Sequence, residues 1–284
     1  MDAETDITFK SSMKNRNDEN FPVTTIFIPL VLRKHVHLFY NCVRSADNIA
    51  DSVKLTPKQK TFLLTHIDGV LKGTEKSDKN SKSAFQHRQS AEETGVTVEH
   101  ARHLLQAFMM DVTKSRYRNW SELINYCQYS AAPVGRYLLD LHGCEKNSQT
   151  GTDSLCIALQ LLNHLQDCKI DYVSLNRVYI PEEFFKIHET DVTALEAKNT
   201  DIGLRRVLDK ILIRTDELIL VAKKEVWKIS HRGLRFQTGV IIAIAEKLSE
   251  ELRKRDPISE RVELTKIQYF LCFLKGFLRM LMRS

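Results

Sequence analysis

The stretch Tyr40–Ser52 reads YNCVRSADNIADS, and it places two aspartates, Asp47 and Asp51, four residues apart among small and aliphatic neighbours. Apolar residues recur around it at helical spacing: Val36, Phe39, Tyr40, Val43, Ala46, Ile49 and Ala50. This periodicity predicts one long helix from Leu32 to Val53. Side chains four residues apart on a helix point from the same face, so the two carboxylates are expected to be neighbours.

Such a pair has two interpretations. It can be a solvated acidic helix face, or it can be half of a site for a divalent cation. Like charges at this spacing repel each other unless a cation lies between them. Magnesium suits such a pair, because it binds through one or two carboxylates while it keeps waters and phosphate oxygens. The spacing alone leaves both interpretations open, and the solvated face is the more common one.

A second pair changes this balance. The stretch ALQLLNHLQDCKIDY (Ala158–Tyr172) places Asp167 and Asp171 at the same spacing, and Gln160 and Asn163 share a polar stripe with Asp167. Polar groups aligned on an otherwise apolar helix need partners. Two facing helices with such acid pairs could hold Mg²⁺ around a diphosphate, and charge neutralisation would let the diphosphate leave from a carbon skeleton.

Cations stand next to both pairs. Arg44 precedes Asp47 by one helical turn, and Arg177 and Tyr179 follow the second pair. The fork of a guanidinium suits phosphate oxygens, whereas a salt bridge to a neighbouring acid is the common alternative for each arginine.

The stretch YCQYSAAPVGRYLLDLHG (Tyr126–Gly143) combines tyrosines with small residues and Pro133. The proline predicts a kink in this helix. Its tyrosines (Tyr126, Tyr129 and Tyr137) could stabilise a carbocation through their ring faces or orient a diphosphate through their hydroxyls. Packing in the core is the alternative for all three.

The whole chain favours an all-α fold in a single domain. Its 284 residues include only 10 Gly and 6 Pro, and 43% are hydrophobic. A second helix is expected after Thr56 as cap with Pro57 at its first position, and Gly73–Ser83 is expected to be a surface loop. Further helical patterns cover Val98–Thr113, Ser121–His142, Asp153–Tyr172, Gly203–Ile229, Leu234–Arg255 and Leu264–Arg283. Residues 1–19 are predicted to be a disordered tail before a catalytic domain at 20–284.

The composition argues against a nucleic-acid-binding protein and against a secreted, disulfide-bonded one. The net charge of +6 suits anionic ligands, an anionic membrane surface or an ordinary cytosolic protein. No dense basic run with interleaved aromatics occurs, so nucleic acid is not an expected partner. The six cysteines never form CxxC, which predicts reduced core thiols in a cytoplasmic protein. The first residues, MDAETDITFK, lack the apolar centre of a secretory signal.

No apolar run reaches the roughly 18 residues of a transmembrane helix. The stretches Phe21–Leu32 and Ile267–Leu281 come closest, and the second is interrupted by Lys275 and Arg279. We expect the second to be a core-packing helix rather than an interfacial one. An apolar substrate would favour peripheral contact with a membrane through either stretch.

The stretches LFYNCVRSADNIADS, YCQYSAAPVGRYLLDLHG and LQLLNHLQDCKIDYVSLNRVYIP together resemble the squalene/phytoene synthase family of head-to-head prenyl transferases. Four stretches resemble, more narrowly, the bacterial HpnC-type hydroxysqualene synthases of hopanoid pathways: ENFPV (Glu19–Val23), YSAAPVGRYLLDLHG, LNHLQDC and SHRGLRFQTGVIIAIAEKL. The resemblance runs from residue 19 to residue 280.

The resemblance implies the all-α isoprenoid synthase fold, with the acid pairs facing each other across a central active-site cavity. It implies Mg²⁺ as cofactor, held at the positions of the two aspartate motifs: Asp47, Asp51, Asp167 and Asp171. Arg44 and Tyr129 match positions that meet the diphosphate and the reacting carbons in relatives, and Gln160 and Asn163 match the polar residues that precede the second motif. Four more match family positions with less defined roles: Arg33, Tyr40, Arg177 and Tyr179.

The chain departs from the family pattern at three positions. Relatives usually carry acids where this sequence has Asn48, Ser52 and Ile170. The outer aspartates of both motifs remain, so Mg²⁺ binding is expected to remain, with metal affinity and diphosphate capture as the properties that these changes affect.

The implied activity is the conversion of presqualene diphosphate and water to hydroxysqualene and diphosphate, without NADPH and beside a partner synthase of the hopanoid pathway. The same motifs serve a rival activity, the condensation of two farnesyl diphosphates to presqualene diphosphate or of two geranylgeranyl diphosphates to phytoene. A rival of another class is a non-catalytic assembly protein of the same fold. Such a protein would tend to lose the acid pairs that this chain keeps.

Overall fold

The computed structural model describes residues 27–281, and within them twelve α-helices are joined by turns and by three 3₁₀-helices. The α-helices are α1 (Leu30–Ala50), α2 (Pro57–Lys72), α3 (Lys82–Thr94), α4 (Glu99–Thr113), α5 (Trp120–Ser130), α6 (Ala132–Leu141), α7 (Gln149–Gln166), α8 (Cys168–Leu175), α9 (Glu182–Ile187), α10 (Ile202–Glu225), α11 (Arg232–Lys254) and α12 (Lys266–Leu281). The 3₁₀-helices are Lys146–Ser148, Val192–Glu196 and Val226–Lys228.

Between residues 27 and 281 the only extended pairing is one bridge between Arg116 and Val178, so the all-α prediction is confirmed. The predicted tail at residues 1–19 and the Glu19–Val23 stretch lie outside the described residues. The same holds for the first part of the apolar stretch Phe21–Leu32, and the limits of the catalytic domain at 20–284 stay a prediction.

Helix α1 forms where the apolar spacing predicts it, and it buries one stripe that includes Val36, Phe39 and Ala46. It ends at Ala50, before the predicted end at Val53, because the backbone turns at Asp51. The amide of Asp51 still donates to the carbonyl of Asp47 at 2.9 Å, so the two aspartates remain one turn apart.

Helix α2 begins as predicted. The Thr56 hydroxyl accepts from the amide of Gln59 at 3.3 Å, and the Gln59 side chain accepts from the amide of Thr56 at 2.9 Å, which is a capping box. Two helices were not predicted, α3 and the short α9. The inner face of α3 consists of small and polar residues, Ala84, His87, Ser90 and Ala91, so apolar periodicity could not reveal it.

The predicted helix Ser121–His142 is two helices, α5 and α6, separated at Ala131, whose backbone (φ −132°, ψ −49°) leaves helical geometry. Pro133 stands in the first turn of α6, so the kink predicted from this proline is confirmed. Gly143 follows α6 with a φ of +65°, a left-handed conformation that glycine adopts without steric cost.

The prediction of one continuous helix over Asp153–Tyr172 is wrong. The backbone turns at Asp167 (φ −104°, ψ 5°), which ends α7 and begins α8. The amide of Asp167 bonds to the carbonyl of Asn163 at 3.0 Å, and the amide of Asp171 bonds to the carbonyl of Asp167 at 2.8 Å. Asp167 therefore bonds to both helices through its backbone, and the second acid pair lies at a joint rather than on a straight face.

The core consists of three clusters of buried side chains. One is built mainly by α7, α10 and α11, a second by α1, α2 and α4, and a third surrounds Tyr117 and Tyr126. The segment after α8 contacts α1 and α4 through Arg177, so the candidate site forms where the N-terminal helices meet this segment.

Helix α12 crosses α11 closely, because a Cβ on Gly276 would come within 2.6 Å of the Cα of Val240. The expectation of a core-packing helix is therefore only half right: Cys272, Gly276 and Met280 are buried, and the opposite face is exposed. None of the described helices is long and apolar enough to cross a membrane.

Candidate metal and diphosphate site

Each carboxylate of the first acid pair has its own guanidinium partner. Arg44 Nη1 donates to Asp47 Oδ2 at 2.7 Å within the last turns of α1. Arg177 Nη1 donates to Asp51 Oδ1 at 2.9 Å from a segment 126 residues away in sequence. The alternative of a salt bridge to a neighbouring acid thus describes both arginines in this structure.

The two carboxylates also act on each other. Burial raises the pKa of Asp47, the negative charge of Asp51 raises it further, and the positive charge of Arg44 opposes both effects. A carboxylate pair whose charged form is disfavoured gains from a cation, and its oxygen donors are those that Mg²⁺ prefers. The residues of the first pair therefore fit a magnesium ion.

Arg177 stands at the centre of a buried network that the sequence did not reveal. Its Nε lies 3.8 Å from Asp111 Oδ1, and its Nη1 donates to the Tyr179 hydroxyl at 3.3 Å. The Asp111 carboxylate accepts hydrogen bonds from Tyr179 at 3.1 Å and from Tyr126 at 2.7 Å. Burial raises the pKa of Asp111 to about 6, and the charge of Arg177 opposes this.

The second acid pair reaches the same network through the backbone. The carbonyl of Asp171 accepts from the amide of Arg177 at 3.1 Å, so the residue that binds Asp51 is held at the end of α8. The Asp167 carboxylate accepts from Arg261 Nε at 2.7 Å. Arg177 therefore connects the second acid motif to the first.

The polar stripe of α7 supports the network from behind. Gln160 Nε2 lies 3.1 Å from His164 Nε2, and the His164 ring stacks parallel on the Tyr179 ring at 3.7 Å. Asn163 is half-buried on α7, one turn before Asp167 at the end of that helix. The stripe thus contributes to the orientation of Tyr179.

The remaining predicted residues lie on α1 and α5. Tyr40 is half-buried one turn before Arg44, and Arg33 Nε donates to the carbonyl of Ile28 at 3.0 Å. Tyr129 is half-buried, with its ring edge-on to that of His103 at 5.7 Å. Arg177 bonds to both Asp51 and Tyr179, whereas Arg33 bonds to the backbone of Ile28 and the Tyr129 ring contacts that of His103.

The three positions at which the resemblance leads us to expect acids differ in environment. Ser52 is buried, and its hydroxyl accepts from the amide of Lys54 at 3.2 Å. Asn48 is half-buried, and Ile170 is 60% exposed. An acid at position 170 would therefore stand in solvent.

Sequence reasoning missed two further residues beside this site. Asp111 is a single acid among apolar neighbours in the last turn of α4, and a lone acid has no spacing to reveal it. Lys60 donates to the carbonyl of Ala50 at 2.7 Å, and burial together with the charge of Arg177 lowers its pKa. Lys60 adds a third cation near the first acid pair.

No group of three or more His, Cys, Asp or Glu among residues 27–281 could hold a metal ion by itself. Each acid pair offers two carboxylates. An ion bound there would complete its coordination with water or with oxygens of a phosphate ligand, as magnesium does in many proteins.

Known proteins match this chain along most of its length. The chain is 38% identical to a hydroxysqualene synthase of Rhodopseudomonas palustris, over 92% of this chain and 88% of that protein. It is 37% identical to a hydroxysqualene synthase of Sinorhizobium fredii, over 89% of this chain and 86% of that protein.

Among solved structures, a dehydrosqualene synthase in complex with a ligand superposes with a TM-score of 0.81. The match covers 95% of this chain and 94% of that chain at 17% identity, and it confirms the isoprenoid synthase fold. The family model for squalene/phytoene synthase matches residues 14–268. The chain therefore belongs to the squalene/phytoene synthase family.

Proposed function

We propose that this chain is a hydroxysqualene synthase, which converts presqualene diphosphate and water to hydroxysqualene and diphosphate. The observation that carries the proposal is the similarity to two hydroxysqualene synthases over about nine tenths of the chain. The retained acid pairs, each with cations beside it, support a reaction in which a diphosphate leaves.

The proposed cofactor is Mg²⁺, with Asp47, Asp51, Asp167 and Asp171 as its protein ligands. Bound Mg²⁺ would neutralise the diphosphate as its carbon–oxygen bond breaks. These four carboxylates supply oxygen donors alone, which suits magnesium rather than a softer metal.

The side chains around the acid pairs have roles of their own in this proposal. The Nη1 groups of Arg44 and Arg177, which bind Asp47 and Asp51 in this structure, turn to the diphosphate oxygens. Gln160, Asn163, Tyr40 and Tyr179 provide further polar contacts to the substrate. The ring of Tyr129 faces the carbocation.

The proposed reaction breaks one carbon–oxygen bond and forms another. The carbon–oxygen bond to the diphosphate breaks, and the diphosphate leaves with the electron pair. The cyclopropylcarbinyl cation rearranges, a water oxygen then bonds to the cationic carbon, and this water loses a proton. No reductant takes part, so NADPH is not required.

Incubation of the purified protein with presqualene diphosphate and Mg²⁺ alone tests the proposal. We expect hydroxysqualene and free diphosphate, measured by mass spectrometry and by a diphosphate assay. A parallel incubation with farnesyl diphosphate as the only substrate is the control. Turnover of farnesyl diphosphate and none of presqualene diphosphate would identify the condensing enzyme instead. In cells, normal pathway output from Asp47→Ala would point to the assembly protein.

We also propose that the protein docks on an anionic membrane surface through α12, as suits an apolar substrate and product. The outward face of α12 is one apolar strip of exposed residues: Ile267, Phe270, Leu271, Leu274, Leu278 and Leu281. Beside it Lys223, Lys275 and Arg279 share the single carboxylate of Glu246, which leaves an excess of positive charge. An apolar face flanked by cations is the pattern of interfacial helices.

Co-sedimentation with vesicles tests this docking. We expect the protein to pellet with vesicles that contain phosphatidylglycerol, to pellet less with phosphatidylcholine alone, and to be released by Phe270→Ser combined with Leu274→Ser. Phe62→Ser, at a 73% exposed position of α2, is the matched control and should bind as the unaltered protein does. Protein that stays in the supernatant, or that forms a dimer through α12, would contradict the membrane proposal.

A further inference from the structure

Asp111 is the most enclosed acid of the network around Arg177. Only 5% of its side chain is exposed, and its carboxylate accepts from Tyr126 at 2.7 Å and from Tyr179 at 3.1 Å. Its backbone carbonyl also accepts from Arg177 Nη2 at 3.3 Å. Asp111 therefore holds Arg177 through its main chain and faces it with its carboxylate.

Arg177 has a second carboxylate partner of a different kind. Its Nη1 binds Asp51 at 2.9 Å, and the Asp51 side chain is 44% exposed whereas that of Arg177 is 9% exposed. The guanidinium is thus shared between a buried acid and an accessible one. The two contacts use different nitrogens of the guanidinium, because Nε lies 3.8 Å from Asp111 Oδ1 whereas Nη1 donates to Asp51 Oδ1.

The presence of two carboxylate partners for Arg177 becomes important when Asp51 binds a metal ion. A buried guanidinium that loses its carboxylate is strongly destabilising, because its charge has then neither water nor a counter-charge. With Asp51 as the only acid, Arg177 would compete with a divalent cation for the same oxygens. With Asp111 present, Arg177 keeps an acid partner on its Nε edge while Nη1 becomes available.

We propose that Asp111 is a positioning residue that keeps Arg177 paired and in place, and so releases Asp51 to a divalent cation. This inference rests on the metal site of the proposed function. Asp111 acts through Arg177 and does not itself bind the metal.

Binding of Mn²⁺, followed by the electron paramagnetic resonance signal of the free ion, tests the inference without substrate. We expect Asp111→Asn to weaken Mn²⁺ binding by roughly 10- to 100-fold, the range for loss of an outer partner of a metal ligand. Asp111→Glu, which keeps the charge, should restore part of the loss. Asp153→Asn, which removes the carboxylate partner of Arg136 in a half-buried ion pair outside this network, is the matched control and should bind Mn²⁺ within about twofold of the unaltered protein.

Arg177→Gln separates positioning from a general loss of structure. Without the competing guanidinium, this variant should bind Mn²⁺ as tightly as the unaltered protein or more tightly. In that background Asp111→Asn should have no further effect, because the residue through which it acts is gone. Circular dichroism establishes that each variant is folded. If Asp111→Asn does not fold, the Arg177→Gln variant decides the question, and weaker Mn²⁺ binding by it would overturn the inference.

Unchanged Mn²⁺ binding in Asp111→Asn, or a loss of the same size in the Arg177→Gln background, would overturn this inference and leave the proposed metal site intact. Failure of the unaltered protein to bind Mn²⁺ would overturn both.

Discussion

His87 is a buried histidine outside the candidate site. Its ring lies on α3, edge-on to Phe39 at 5.3 Å and to Tyr137 at 5.7 Å. Neither of its ring nitrogens has a hydrogen-bond partner in the described part of the chain. Burial lowers the pKa of His87 to about 4, and the charge of His100 contributes.

This histidine makes the free energy of unfolding depend on pH. The unfolded chain protonates it near pH 6.5, whereas the folded chain keeps it neutral down to about pH 4. The contribution of neutral His87 to the free energy of unfolding is therefore complete above pH 6.5. It falls by up to about 3 kcal/mol as the pH drops toward 4. In urea unfolding, the free energy of unfolding of His87→Leu should fall less steeply than that of the unaltered protein as the pH drops over this range. His188→Leu, at the half-exposed end of α9, is the control, and equal slopes for both variants would contradict the assignment.

At the first acid pair, neighbouring positions should respond in opposite directions. Asp47→Asn removes a proposed metal ligand, and we expect kcat/KM for presqualene diphosphate to fall by on the order of 100-fold or more. Asn48→Asp adds an acid beside Asp47, where the family resemblance leads us to expect one, and we expect it to lower the Mg²⁺ concentration at half-maximal rate. Steady-state assays over a Mg²⁺ series measure both, and a higher Mg²⁺ requirement in Asn48→Asp would count against the metal assignment.

Residue spacing predicted both acid pairs, and it could not predict what they contact. Asp47 and Asp51 were found because two carboxylates on one helix face form a pattern. Asp111 has no such pattern, and its role depends on a segment that lies 66 residues further along the chain. The partners of Arg177 are a property of packing, which no local sequence feature contains.

Among the elements, the close crossing of α11 and α12 depends on Gly276 of α12, which faces Gly239 and Val240 of α11. A Cβ on Gly276 would stand 2.6 Å from the Cα of Val240 and 2.7 Å from the carbonyl of Gly239. Both are backbone atoms, so no side-chain rotation can relieve the contact. The small residues therefore let the two helix backbones approach.

This contact determines whether a substitution at Gly276 stabilises or destabilises the protein. Alanine stabilises a helix by about 1 kcal/mol relative to glycine, yet overpacking against backbone costs roughly 1–3 kcal/mol or more. We expect Gly276→Ala to destabilise the protein in urea or thermal unfolding. Leu278→Ala, at a 55% exposed position of the same helix, should change stability by less than about 0.5 kcal/mol. Greater stability of Gly276→Ala would show that the helices can move apart.

Helix prediction succeeded where apolar residues repeat and failed where they do not. Helices α1, α10 and α11 show that success, while α3 was missed because its buried face is polar and small. The bend at Asp167 was missed for another reason. Asp167 keeps backbone hydrogen bonds to both α7 and α8, and only the backbone angles of that one residue record the change.

Across the whole molecule, the reactivity of the cysteine thiols depends on how deeply the fold buries them. All six cysteines are free, as predicted, and Cys42, Cys127, Cys168 and Cys272 are buried. Burial raises the pKa of Cys42, Cys156 and Cys168 to about 12, so their reactive thiolate forms are scarce at neutral pH.

We therefore expect the folded protein to react slowly with Ellman's reagent, with Cys144 as the first thiol labelled. All six should react at once in guanidinium chloride. Mass mapping of the labelled peptides identifies the site, and Cys144→Ser should remove the earliest phase. Rapid labelling of Cys42 or Cys168 in the folded protein would contradict the packing described for α1 and α8.

The bond between Arg177 and Asp51 also sets an order of events during folding. Helices and their neighbours form from contacts that are close in sequence, whereas this ion pair closes a loop of 126 residues. Closing so long a loop costs chain entropy before any contact across it is rewarded. The cluster around α1, α2 and α4 and the cluster around α7, α10 and α11 can therefore gather before the pair joins them. We expect a chain cut between α4 and α8 to lack the assembled site, because Asp51 and Arg177 then lie on separate pieces.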